Sequence, residues 1–169
     1  DAVIEDCANF HAPYAQNMTV CGMGNHELHI VKRHETNPTE RFCQSLFAKT
    51  GHKVHNGLYA GWIQFMFRFK DKRMSQSLDM KYHHGYGGGG IVTKGMIQNQ
   101  RRQTFVDADI HVTGHIHERT KSEWMREGIN SHGVYKKTVQ RHICLGTYKD
   151  DYADGACSWE ANRGQPPKP

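Results

Sequence analysis

The residues best suited to chemistry in this chain are histidines set beside glycine at the ends of apolar runs. In "VCGMGNHELHI" (20–30), Asn25, His26 and Glu27 come directly after Gly24. In "MKYHHGYGGGG" (80–90), His83 and His84 precede Gly85, and in "HVTGHIHE" (111–118) Gly114 precedes His115 and His117. Neutral imidazole is a good ligand for zinc, manganese, iron or nickel, and an amide oxygen such as that of Asn25 suits the harder of these ions. Residues two apart in an extended segment point to the same side, so His115 and His117 are expected to face one site. A glycine before or after such a histidine lets the backbone turn sharply and leaves room for an ion.

The elements that must position these groups follow from periodicity and capping signals. Residues 1 to about 12 have helical spacing of Val3, Ile4, Cys7, Ala8 and Phe10, ended by Pro13. "MTVCGM" (18–23) reads as a short buried strand leading into Gly24. "TNPTERFCQSLFAKTG" (36–51) is the clearest helix. Asn37 caps it, Pro38 opens it, Glu40 completes a capping box and Gly51 stops it, with Phe42, Cys43, Leu46 and Phe47 as the apolar stripe. The aromatic run with Trp62, Phe65, Phe67 and Phe69 reads as strand buried in a second sheet, and Leu78, Met80 and Tyr82 alternate toward the histidine pair. A helix is expected from about 91 to 105, packing through Ile91, Met96, Ile97 and Phe105, with Arg101 and Arg102 as solvated cations. "DADIHVTGHIH" (107–117) reads as strand then loop, and 120–148 as successive antiparallel strands turning near Gly128–Asn130 and Gly133. The whole chain, 1–169, is expected to form a single domain with an irregular tail over 161–169.

Composition bounds the partners. At 37% hydrophobic residues and a mean hydropathy of −0.77, with no apolar run near the roughly 18 residues of a membrane span, no membrane association is expected, and the chain reads as cytoplasmic. A net charge of +5 favours polyanionic partners, nucleic acid or a phosphorylated substrate. Cys7, Cys21, Cys43, Cys144 and Cys157 are odd in number and lack C-x-x-C spacing, which points to reduced core cysteines rather than disulfides or a thiolate zinc site.

Taken in order, "GNHE", a strand-end histidine followed by glycine, and "GHIH" resemble the calcineurin-like metallophosphoesterase superfamily over roughly residues 1–148. The resemblance implies an α/β (α+β) fold, a β-sandwich of two mixed sheets flanked by helices, with two divalent metal ions (Mn, Fe, Zn or Ni) at the strand-end edge. It implies that Asn25, His84, His115 and His117 are metal ligands, with His117 on the first metal and the others on the second. His26 would then assist the leaving oxygen, and Glu27 would be structural. His84 is preferred to His83 because it precedes glycine and shares parity with Leu78, Met80 and Tyr82. Gly85 and Gly87 are candidate contacts to substrate phosphate, although no Lys-Ser/Thr follows as a nucleotide-binding loop requires. The implied reaction is hydrolysis of a phosphomonoester or phosphodiester, as in a nuclease or a phosphatase.

The family's opening motifs, D-x-H and G-D-x-x-D, are missing from these 169 residues. The simplest expectation is therefore a chain that holds the C-terminal part of the fold, with its N-terminal strands missing. Two other readings stand beside the enzyme. One is a binding or scaffold module of the same fold with a degenerate metal site. The other is a mononuclear metal hydrolase on an unrelated fold.

Overall fold

In the computed structural model, residues 1–70, 75–88, 90, 92–148, 152 and 159–164 are described. The chain divides into two compact units, Asp1–Gly61 and Trp62–Pro169.

The first unit is built on helices and a small sheet. Helix α1 (Ala2–His11) gives way at Pro13 to a 3-10 segment, Ala12–Asn17, because proline has no amide hydrogen to continue the α-helical ladder. Strand β1 is only Val20–Cys21, shorter than expected, and pairs in parallel with β2 (His55–Asn56). Between them lie helices α2 (Asn25–His34) and α3 (Pro38–Thr50). Helix α3 starts and stops where its sequence says: the Asn37 side chain accepts from the Glu40 amide at 3.1 Å, and Gly51 takes the left-handed conformation at φ 68°. The reciprocal half of the expected capping box does not form. Glu40 instead accepts from Gln44 and from Asn56 of β2, tying the helix to the sheet. Ala8, Ala15, Phe42, Cys43, Leu46 and Val54 make the core, and Ile4, Met18 and Cys21 pack against it. Phe47, expected on the buried stripe, is 52% exposed.

The second unit is a five-stranded mixed sheet in the order β3-β4-β5-β7-β6, which with its helices makes the protein mixed α/β of the α+β kind. The strands are β3 (Ala60–Arg68, the first two residues lying in the first unit), β4 (Ser75–His83), β5 (Ile110–Thr113), β6 (Thr120–Ile129) and β7 (Tyr135–Cys144). Strands β4, β5 and β7 run parallel, and β6 returns antiparallel to β7 along ten residue pairs. Parallel neighbours need a crossover, and the link from β4 to β5 carries helix α4 (Met96–Gln103). The turn between β6 and β7 is closed by Asn130, whose side chain accepts from the His132 and Val134 amides. A short helix, α5 (Trp159–Asn162), runs two residues into the segment 161–169 expected to be an irregular tail.

Two packing expectations are corrected in this unit. Trp62, Phe65, Phe67 and Phe69 are between 41% and 54% exposed, because β3 is an edge strand whose aromatic side chains are only half covered. Helix α4 is shorter than the expected 91–105, and it buries Asn99, Arg102 and Gln103 rather than an apolar face; Ile97 and Phe105 are exposed. Ile91 lies outside the described residues. The reading of the cysteines as core residues holds for Cys43 and Cys144, which are buried, and is corrected at Cys7, which is exposed; Cys21 is partly buried. No helix among the described residues is long and apolar enough to cross a membrane.

Candidate metal centre at the strand ends

Because β4 and β5 are parallel and in register from Met80↔Ile110 to His83↔Thr113, they end at the same edge of the sheet. The two histidine-bearing loops therefore leave side by side. The Gly114 amide donates to the His84 carbonyl at 2.9 Å, extending the ladder by one bond past the strands. Gly85, at φ 109°, lies so close to the second loop that a Cβ there would sit 2.5 Å from the Gly114 oxygen and 3.0 Å from the His115 Cβ. Only glycine allows this approach, and the approach brings the two imidazoles together. His84 Nε2 lies 3.2 Å from His115 Nδ1, with ring centroids 5.1 Å apart and planes at 69°.

The "GHIH" segment is not extended. His115 and His117 have φ of 74° and 57°, in the left-handed region, and the Ile116 amide donates back to the Gly114 carbonyl at 2.9 Å. The two-residue alternation that would put both imidazoles on one side of a strand thus does not apply here. Left-handed backbone at a non-glycine residue is uncommon, and such outliers cluster at functional sites at a cost of about 1–3 kcal/mol each. Two within three residues mark a turn held by its surroundings. Ile116 is gripped by the loop before α4, where a Cβ on Gly95 would lie 2.2 Å from the Ile116 Cδ1. The buried Glu118 carboxylate pairs with Lys94 of that same loop at 3.8 Å.

His83, the competitor of His84, has its Nδ1 engaged by the Gly85 amide at 2.8 Å. Its pKa is lowered by burial and then by the charges of Arg102 and Lys81, which favours the neutral ring. His117 is half-buried in the turn. Gly87, at φ 77°, packs against the Gln98 side chain.

"GNHE" opens helix α2 in the first unit. Asn25 and His26 are exposed in its first turn, and the Glu27 carboxylate accepts from the Gly24 amide at 2.8 Å. Glu27 is therefore an N-terminal cap, a structural role. The helix itself was not expected, although a glutamate three residues after Gly24 and the basic Lys32, Arg33 and His34 in the last turn are its start and stop signals. Of the proposed ligands, His84 and His115 are brought together within one unit. Among the described residues, no group of three or more His, Cys, Asp or Glu gathers as an ion would need.

The donor chemistry of the pair fits a divalent ion in part. Two imidazole nitrogens 3.2 Å apart are close enough to reach one ion at the about 2.0–2.1 Å of imidazole ligation. The same separation also suits a direct hydrogen bond, with one ring donating and the other accepting.

Sequence reading missed the layer beneath. On the same face of the sheet as His83, the residues His111, Thr113, Gln140, His142 and Cys144 are all buried. His111 and His142 face each other across β5 and β7 with centroids 5.0 Å apart, and His142 Nε2 lies 3.0 Å from the Thr113 hydroxyl. Burial drives both imidazoles down to about 4, with nearby positive charge adding to it. The available signal was parity: His111 and Thr113 alternate with Ile110 and Val112, and a central strand with both faces covered wholly or in part encloses them. No protein-family model, curated protein or solved structure matches this chain.

Proposed function

We propose that this chain is a metal-dependent phosphoesterase of the calcineurin-like kind. One observation carries the reading: the histidine before glycine and the first histidine of "GHIH", 31 residues apart, meet at 3.2 Å where two parallel strands end. Open α/β sheets build sites at such carboxyl ends. Left-handed backbone at His115 and His117 supports it, since strain of this kind is kept where a turn has a task.

On this reading His84, His115, His117 and Asn25 hold divalent ions of the Mn, Fe, Zn or Ni class. Such ions supply Lewis acidity toward phosphoryl oxygens and lower the pKa of a water. The protein's own groups do the rest. The Gly85 approach fixes the His84 ring against His115, the Gly95 and Lys94 contacts hold the "GHIH" turn, and His26 gives a proton to the departing oxygen. Substrates are phosphomonoesters or phosphodiesters, with nucleic acid favoured by the net charge of +5.

The test is hydrolysis of bis(p-nitrophenyl) phosphate and p-nitrophenyl phosphate by the manganese-loaded protein. Metal-dependent turnover is expected, and His26→Ala should slow it about 10²–10³-fold with metal uptake unchanged. Turnover that survives His26→Ala intact would remove that residue from the mechanism.

A second reading, a binding module of the same fold with an incomplete metal site, is favoured by the absence of a three-ligand group among the described residues. It predicts metal or polyanion binding with no turnover in the same assay.

A further inference from the structure

Arg102 is only 7% exposed, yet among the described residues no carboxylate pairs with it. Its guanidinium lies 4.6 Å from the centroid of the Tyr86 ring, and its Nη2 has no hydrogen-bond partner. The buried carboxylate Glu118 is committed to Lys94 at 3.8 Å. A guanidinium taken out of water without a counter-charge is costly, and arrangements of this kind persist when something compensates them.

The neighbours of Arg102 show what would compensate it. Asn99 Nδ2 and Gln103 Nε2, on the same buried stripe of α4, are also buried donors without partners, and the buried oxygens Gln103 Oε1 and Gln140 Oε1 are likewise unpartnered. From the facing strand β5, His111 Nδ1 is buried and unpartnered as well. Arg102 acts electrostatically on His83, His111, His142 and Cys144, which places it over the face formed by β4, β5 and β7. A cation, two amide N–H₂ groups and an imidazole form a set rich in donors. Arg102 is suited to recognise an oxyanion through its planar fork.

We propose that the buried polar layer between α4 and this sheet face binds a tetrahedral oxyanion of the phosphate class, held by Arg102, Asn99, Gln103 and His111. Tyr86 is its cover. The ring is 59% exposed, lies over the guanidinium at 4.6 Å and packs edge-on against His83. The site needs no metal and stands apart from the proposed phosphoesterase reading.

The experiment is calorimetric titration of the chelator-treated protein with inorganic phosphate, sulfate and acetate. Phosphate and sulfate should bind, and Arg102→Met, which keeps the stem against Tyr86, should weaken them about tenfold to a hundredfold. Should Arg102→Met fail to fold, Gln103→Leu provides the same reading with a smaller loss. His84→Ala should leave phosphate binding unchanged, which separates this site from the metal centre. Three results would overturn the proposal: no phosphate binding to the wild-type protein, as when water alone fills the layer; binding retained in both Arg102→Met and Gln103→Leu; or acetate binding as tightly as phosphate.

Discussion

One sheet carries two pairs of imidazoles, and they have opposite fates. His84 and His115 lie past the ends of β4 and β5, half-buried, with ring nitrogens 3.2 Å apart on a turn of left-handed residues. His111 and His142 lie inside β5 and β7, about 1% exposed, with ring centroids 5.0 Å apart and His142 tied to Thr113. The residue type is the same, and four positions along the chain separate His111 from His115. Within the strand, backbone pairing fixes the ring and burial keeps it neutral. Past the strand end the ladder stops, the backbone turns, and the two rings meet edge to face with their nitrogens 3.2 Å apart.

The largest expected effect comes from acid. The buried pair titrates near 4 in the fold, whereas an unfolded histidine takes its proton near 6.5. Between these values the unfolded chain binds more protons, so the stability contributed by keeping both rings neutral is complete above 6.5 and is lost as pH falls toward 4. Each tenfold difference in proton affinity is worth about 1.4 kcal/mol, so acid removes on the order of several kcal/mol through this pair. Urea melts between pH 7 and 4 should show this loss, and His111→Leu should flatten the slope. An acid limb unchanged in His111→Leu would mean that the inner pair does not set the pH response.

Next is the contact that makes the outer pair. Gly85→Ala places a methyl 2.5 Å from the Gly114 oxygen at φ 109°, so the two loops must separate. A loss of about 2–3 kcal/mol is expected from overpacking and left-handed strain, with weakened divalent-ion binding. Wild-type melting and metal uptake in the variant would show that the outer pair does not need this approach.

The smallest effect is within the inner pair. Thr113→Val removes the hydroxyl 3.0 Å from His142 Nε2 and leaves that nitrogen buried alone, for about 1–2 kcal/mol. Denaturant melts should register this while divalent-ion affinity stays constant, since Thr113 faces the inner layer.

The contrast also explains what could be read in advance. Helix α3 was legible because Asn37, Pro38 and Gly51 act locally, and the backbone obeyed them. The meeting of His84 with His115 was legible as strand-end logic, because parity and flanking glycines are local marks of a shared edge. The conformation of "GHIH" was not, since its left-handed residues are imposed by the Gly85 and Gly95 contacts from a loop about twenty or more residues earlier. Helix α4 was not legible because its buried stripe, Asn99, Arg102 and Gln103, is polar like the sheet face that carries His111, Gln140 and His142. Arg102, read as a solvated cation, is buried beneath Tyr86 and near His83, His111 and His142 of the sheet face.

The claim at the centre is that the outer pair, and not its neighbours, binds a divalent ion. Calorimetric titration with Mn²⁺ and Zn²⁺ should be run on the wild-type protein and on His84→Ala, His83→Ala and His111→Leu. Binding should be lost in His84→Ala and kept in the other two variants. Undiminished binding in His84→Ala, or binding abolished only by His83→Ala, would contradict it.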